Sequence, residues 1–298
     1  MQKKNFKPAK GNKSYKGKTD DSRSSSPFKK QQSESPNRKP AGKSTGRYTP
    51  SKFKKKAEKV ERDDIRLNRY LAIAGICSRR EADDLIAAGL VEVNGTIITE
   101  MGYRVQPNDK VRYAGSLIKG EKKQYVLLNK PKGFITTMDD PKARKTVMEL
   151  VAKACKERIY PVGRLDRATT GLLLFTNDGE LAKKLTHPSH GATKIYDVVL
   201  DKNLSSKDFQ NIVSGFSLED GPVVVDELSY VEDKGRNHLG IKIHMGRNRI
   251  VRRIFEHFGY EVIKLDRVVF AGLTKKNLPR GHYRFLTKQE LENLHVKI

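Results

Sequence analysis

The sequence has few of the features that mark secreted, membrane-spanning or disulfide-stapled proteins. Its 298 residues include two cysteines, Cys77 and Cys155. That is too few for a disulfide framework and fits a reducing compartment. No apolar run approaches the roughly 20 residues of a bilayer span. The basic N-terminus lacks the hydrophobic stretch of a signal peptide. Hydrophobic residues make up 36% of the chain, below the usual share of about 45–50%, so part of it is not expected to fold. Acidic residues are scarce too: 35 Asp and Glu face 60 Lys and Arg, a net charge of +25. These shortages leave a soluble, cytoplasmic protein that binds a polyanion as the expectation.

The charge is unevenly placed. Residues 1–62 hold 20 Lys and Arg against 5 Asp and Glu, a net of +15, while the other 236 hold 40 against 30. The tail has no Leu and no Ile. It cannot bury enough apolar surface to offset its ordering entropy and reads as disordered. Such an arm binds nucleic acid through phosphates without choosing a sequence; a purely solubilising extension fits the same composition.

From Ile65 the texture changes. Residues 65–72 have helical spacing, with Leu67, Tyr70, Leu71 and Ala74 on one face and Gly75 as the stop. Ser78-Arg79-Arg80-Glu81 reads as a capping box opening a second helix, with Ala82, Leu85 and Ile86 inward. Asn94-Gly95 between two short β-type runs is a hairpin signal. Arg79 and Arg80 stand in a first helical turn, where the macrodipole disfavours cations by roughly 0.3–1 kcal/mol. That placement fits a phosphate arriving there, although arginines pointing to solvent would look the same. Arg66-Leu67-Asn68-Arg69-Tyr70-Leu71, Ser78-Arg79-Arg80-Glu81-Ala82 and residues 89–95 together resemble the S-four RNA-binding domain. The resemblance implies structured RNA bound along the helix pair, by Arg66, Arg69, Arg79 and Arg80.

Residues 63–115 are therefore expected as this module, 116–123 as a linker and 124–298 as a larger domain. In the larger domain, strands arrive in groups without regular βαβ alternation, which predicts an α+β fold on a mainly antiparallel sheet. Asp166 falls in a polar loop between a short strand ending at Val162 and a buried strand over residues 172–175, flanked by Gly163 and Gly171. Rigid strands present catalytic groups in this way, while an Asx-turn is the commoner reason for an aspartate in a loop. Ile250, Val251, Ile254, Phe255 and Phe258 form one helical face, with Arg249, Arg252 and Arg253 off it near the helix start. Guanidinium groups gathered there suit phosphates or a carboxylate, as they suit a solvated helix face. His187-Pro188-Ser189-His190 is the only close histidine pair and reads as a loop. No metal set and no Gly-rich phosphate fingerprint is present.

Four motifs then stand in order: Gly163-Arg164-Leu165-Asp166 with Thr170-Gly171-Leu172, Asn177-Asp178-Gly179-Glu180-Leu181, Lys194-Ile195-Tyr196, and Gly246-Arg247-Asn248-Arg249 with Val251-Arg252-Arg253. Over residues 65–287 the chain resembles the pseudouridine synthases, in the branch that modifies single uridines of ribosomal RNA and carries an N-terminal S-four domain. The resemblance implies a catalytic domain built on a long mixed, largely antiparallel sheet crossed by an active-site cleft. It implies Asp166 as the essential aspartate, Tyr196 packed against the target base, and Arg252 paired with the aspartate. Arg164 and Arg247 match basic positions that contact phosphate, and Arg249 and Arg253 extend that cluster. Ile250 stands where this branch usually has Gln.

The reaction so implied detaches uracil, turns it and rejoins it through carbon, with no metal or cofactor. An arginine beside the aspartate keeps it ionised and aimed, whether it attacks the sugar or takes the 2′ hydrogen. The uridine must leave its stack to reach Tyr196. The expected partner is ribosomal RNA, free or in an assembling subunit, and the expected state a monomer. A non-catalytic RNA-binding assembly factor is the alternative, and a DNA-binding regulator a weaker one.

Overall fold

The computed structural model describes residues 64–187 and 190–296, and the basic tail lies outside them. The small module runs β1 (Ile65–Arg66), α1 (Leu67–Ile73), α2 (Arg79–Ala87), β2 (Val91–Val93), β3 (Thr96–Ile97), β4 (Arg104–Val105), β5 (Val111–Tyr113) and β6 (Ser116–Leu117). Local signals account for much of it. Gly75 turns the chain out of α1 at φ +77°, a conformation that favours glycine. Ser78 Oγ accepts from Glu81 N at 3.2 Å and Glu81 Oε2 from Ser78 N at 2.6 Å, closing the capping box. Asn94 and Gly95 both take positive φ, as a two-residue hairpin with strand-like twist requires. Leu67 and Leu71 of α1 and Ala82 and Ile86 of α2 meet Val91, Val105 and Val111 in one core.

Two expectations change here. The helix starts at Leu67 rather than Ile65, because Ile65 and Arg66 pair with Val105 and Arg104. Residues 116–118, expected as linker, belong to the module. Ser116 and Leu117 pair with Tyr113 and Arg112, and Ile118 is buried in the small core.

The larger domain continues with β7 (Tyr125–Lys130), α3 (Val147–Val151), β8 (Tyr160–Pro161), β9 (Thr170–Thr176), α4 (Gly179–Thr186), β10 (Lys194–Leu200) and α5 (Ser206–Ser214). It closes with β11 (Phe216–Leu218), β12 (Gly221–Val223), β13 (Glu227–Tyr230), β14 (His238–Ile243), α6 (Ile250–His257), β15 (Val262–Phe270), β16 (Leu273–Thr274), β17 (Tyr283–Phe285) and α7 (Lys288–Val296). The main sheet has the order β13-β14-β10-β15-β9-β7-β17, with β16 on β15 and β8 on β9. Every pairing in it is antiparallel except β15 with β9. The domain is therefore α+β on a mixed, mainly antiparallel sheet.

Strand β9 is central, and Gly171 to Thr176 are all buried. Leu173 and Phe175 join the core that packs α3, α5 and α6, while Leu172 and Leu174 join Leu181 and Leu185 of α4 and Leu294 of α7 on the other face. The parallel contact is close. A Cβ on Gly171 would lie 2.3 Å from Arg267 O and 2.5 Å from Arg267 N, so only glycine permits this approach. It brings the start of β9 against β15, one strand away from β10. Among the described residues no helix is long and apolar enough to cross a membrane.

Candidate active site

Loop 162–169 carries Arg164 and Asp166 between β8 and β9, and its backbone is held from below. Lys130, fully buried at the end of β7, donates from Nζ to Asp166 O at 3.1 Å, Thr169 O at 2.8 Å and Pro131 O at 3.2 Å. Thr136 Oγ1 donates to Leu165 O at 2.8 Å and accepts from Leu165 N at 3.2 Å. A three-carbonyl clasp on one ammonium uses all its donors and fixes the loop without touching the Asp166 carboxylate. Burial holds the Lys130 ammonium down at about 8, with Asp166 acting upward and Arg280 downward.

The carboxylate itself is free of the loop. Among the described residues it makes no hydrogen bond to a backbone N–H, so the Asx-turn reading of Asp166 has no support. Its partner is Arg249, whose Nη1 lies 3.5 Å from Oδ2, with the aspartate side chain 35% exposed. Arg249 is the N-cap of α6 at φ +46° and ψ +30°, with no side-chain cap bond. A bulky residue in the left-handed region is strained, and here the strain accompanies a guanidinium directed at Asp166.

Arg252 differs from its expected position. It is 8% exposed, on the buried side of α6, and its Nη1 donates to Val262 O at 2.7 Å while its Nε has no partner. The helical stripe left Arg252 outside, but the end of β15 offers it a carbonyl. Burial lowers its proton affinity, Arg249 adds to that, and Asp166 opposes it. Asp166 is thus within electrostatic range of Arg252 and in direct contact with Arg249.

Two further arginines expected on phosphate are tied to protein. Arg253 grips Asp220 with two bonds of 2.8 Å, and this holds the Asp220 carboxyl down at about 2. Arg247 donates to Gly221 O at 3.0 Å and Pro222 O at 2.9 Å. Both therefore anchor the β11–β12 hairpin. Arg164 is exposed and lines the cleft.

Tyr196 is 8% exposed on β10, opposite Arg267 of β15. The register slips between Ile195 and Tyr196, a bulge that turns side chains toward the site. The cleft above it measures about 260 Å³ and is bounded by Arg164, Asp166, Lys194, Tyr196, Arg249 and Arg267. Ile250 also borders it, as a buried apolar wall. Lys130 and Arg267 were not among the expected site residues, and Lys194 stood only as part of the Lys194-Ile195-Tyr196 motif, with no role. A lone cation in an apolar strand was the available signal, as in Tyr125-Val126-Leu127-Leu128-Asn129-Lys130.

A second cleft, about 690 Å³, opens between the small module and the larger domain. Arg66, Arg69, Arg79 and Arg104 line one side and Arg158 and Lys183 the other. Arg69 Nη2 reaches Glu180 Oε1 at 2.7 Å, and Arg104 Nη1 reaches Asp64 Oδ1 at 3.0 Å. Arg80 is exposed outside this lining. Helix α4 joins the two clefts. Gly179, Ala182 and Lys183 face the larger one, and Leu185 and Thr186 the smaller. His187 and His190 meet edge to face at 5.9 Å, with Pro188 and Ser189 outside the described residues. Among the described residues no three His, Cys, Asp or Glu side chains gather as metal ligands.

Comparison with known proteins identifies the family. A family model described as RNA pseudouridylate synthase matches residues 124–257, and one described as S4 domain matches residues 65–111. The ribosomal large subunit pseudouridine synthase B of Bacillus subtilis is 42% identical over 233 residues, 77% of this chain and 95% of that protein. An uncharacterized RNA pseudouridine synthase of Aquifex aeolicus is 38% identical over 234 residues, 78% of this chain and 94% of that one. A crystal structure of a pseudouridylate synthase superposes with a TM-score of 0.56 at 28% identity, covering 77% of this chain and 99% of that chain. At such identity and coverage, the chain belongs to the RNA pseudouridine synthases, a family of isomerases.

Proposed function

We propose that this enzyme isomerises a particular uridine of ribosomal RNA, as a cytoplasmic monomer, with Asp166 as the catalytic carboxylate. One observation carries the assignment of Asp166. Its backbone carbonyl is clasped by buried Lys130 while its carboxylate stays clear of the loop and meets a guanidinium in the cleft. A group whose main chain is fixed and whose reactive atoms are unbonded is preorganised for chemistry. The ribosomal target is supported by the similarity to the ribosomal large subunit pseudouridine synthase B of Bacillus subtilis.

In this reading the flipped nucleotide enters the cleft and its base packs on Tyr196. The C1′–N1 bond breaks, uracil turns, C5 joins C1′, and the C5 proton is lost while N1 gains one. Asp166 either attacks C1′ or removes the 2′ hydrogen, and both routes need it ionised. Arg249 supplies the neighbouring positive charge and Arg252 a second, buried one. Arg164 at the exposed lip takes a phosphate. Residues 64–118 serve as the RNA-binding module and 124–296 as the catalytic domain, with residues 1–62 as a basic arm that adds affinity.

The test uses purified protein on ribosomal RNA transcribed without modifications, with nucleosides counted by mass spectrometry. Wild type is expected to form pseudouridine at a defined position, and Asp166→Asn to bind the RNA equally and form none. A fully active Asp166→Asn would remove the assignment.

A further inference from the structure

Beside Tyr196 lie a half-buried cation, Lys194, and a buried one, Arg267, neither of which has a task in the function proposed above. Lys194 and Tyr196 are two residues apart on β10 and share one face of the strand. Arg267 is the registered partner of Tyr196 on β15, so its side chain emerges on that same face. All three border the catalytic cleft. Neither cation has an ion-pair partner among the described residues. Arg267, 3% exposed, donates from Nε to Leu172 O at 2.8 Å, lies 4.4 Å over the Phe270 ring and faces the Tyr196 hydroxyl. Its Nη2 has no partner. Lys194 Nζ donates to Ala192 O at 2.9 Å and His244 O at 2.8 Å, which leaves one of three N–H bonds for a ligand.

Burying one unpaired cation is costly, and two within range of each other costs more. Burial and then Arg267 hold the Lys194 ammonium down at about 8. The nearest opposing charge, Asp226, is engaged at 2.6 Å with His244. A purely structural pair of cations would be given a carboxylate. This pair faces an open cleft instead.

We propose that Lys194 and Arg267 form a cationic floor that holds the negative charge of uracil after it leaves the sugar. This rests on the function proposed above. When the C1′–N1 bond breaks, its electron pair stays on N1 and spreads over O2 and O4. The anion must neither escape nor be locked in one orientation, because C5 has to replace N1 opposite C1′. Two cations attract it in every orientation, which directional hydrogen bonds alone would not. Their charge is fixed in place before the reaction, so no solvent has to reorganise as the bond breaks. When C5 has bonded to C1′, its proton leaves and N1 gains one, which neutralises the base and loosens this hold for release.

The test compares ribosomal RNA transcribed with uridine and with 5-fluorouridine, in single turnovers, following loss of the N-linked nucleoside. Fluorine stabilises the uracil anion, so a weakened floor matters less. Lys194→Met is expected to slow uridine cleavage roughly 100-fold, the scale of one lost charge-stabilising donor. The deficit should shrink to tenfold or less on 5-fluorouridine, Kd should not change, and Lys194→Arg should restore most of the rate. Arg267→Lys, which keeps the charge in a fully packed site, is expected to retain more activity than Arg267→Met at matched Tm. An equal deficit on both RNAs would overturn the proposal. So would weaker binding with a salt slope lower by about one and an unchanged rate, because that marks a phosphate contact. A wild type that forms no pseudouridine would sink this inference and the function beneath it together, whereas an active wild type with an unaffected Lys194→Met sinks the inference alone.

Discussion

The two clefts of the folded chain are lined with the same residue types and keep their charge in opposite ways. In the larger one the cations are at least partly wet, and two of them lean on carboxylates, Arg69 on Glu180 and Arg104 on Asp64. The exposed Arg69–Glu180 pair is worth about 0–1 kcal/mol, so a phosphate can displace Glu180 with little penalty. Around the smaller cleft, Lys130, Lys194, Arg252 and Arg267 are wholly or largely withdrawn from water and bonded to backbone carbonyls. Removing a wet cation of the larger cleft should change how tightly RNA is held, and removing a buried one around the smaller cleft should change how fast it reacts.

The largest expected departure follows from the Lys130 clasp. Lys130→Met leaves three carbonyls without their donor and frees the Asp166 loop. Stability should fall by about 2–4 kcal/mol, and the rate by at least 100-fold with Kd little changed, as read by thermal melting and single-turnover kinetics. A variant with a normal rate would separate loop fixation from catalysis.

Alkaline pH probes the same region with no mutation. Lys130, facing Asp166 and Arg280, and Lys194, facing Arg267 and Asp226, both sit at about 8, below the ordinary lysine value near 10.4. Between those limits the unfolded chain binds more protons than the folded one, so these two groups favour folding more as pH rises. Activity should nonetheless decline above about pH 8, up to about tenfold per unit, while chemical denaturation shows no matching loss of stability. An alkaline rate loss that tracked unfolding would contradict the division between the clefts.

Arg249 offers a smaller, two-signed effect. Arg249→Gly removes the left-handed strain at the α6 N-cap, and folding should gain about 1 kcal/mol or less. The same change strips Asp166 of its contacting guanidinium and should slow turnover about tenfold. Stability and rate moving together would argue against that pairing.

The smallest effects belong to the larger cleft. Arg158→Ala and Lys183→Ala should each weaken RNA binding a few-fold, with a salt slope shallower by about 0.7–0.9 per lost phosphate contact. The single-turnover rate at saturating RNA should stay as it was.

The parts of the molecule legible in the sequence are those written over a few adjacent residues. The capping box at Ser78 and Glu81, the turn at Asn94-Gly95 and the buried run of β9 follow from local chemistry, and the motif around Asp166 falls in the loop between β8 and β9 that borders the smaller cleft. What stayed hidden depends on distant pairing. Ile65 left the helix because Val105, 40 residues away, pairs with it. Arg247 and Arg253 engage the β11–β12 hairpin because Asp220 meets them there. Arg252 went inward because β15 supplies a carbonyl, and the contact on Asp166 fell to Arg249. Periodicity sorts a helix into wet and dry faces, but it cannot say which neighbouring strand holds a free acceptor.

One experiment bears most directly on this division of labour: RNA affinity across salt and single-turnover pseudouridine formation, measured together for Asp166→Asn and Lys183→Ala. Asp166→Asn should bind with wild-type affinity and salt slope and yield no pseudouridine, while Lys183→Ala should bind more weakly, on a shallower slope, and react at the full rate. Turnover by Asp166→Asn, or a rate loss in Lys183→Ala at saturating RNA, would contradict it.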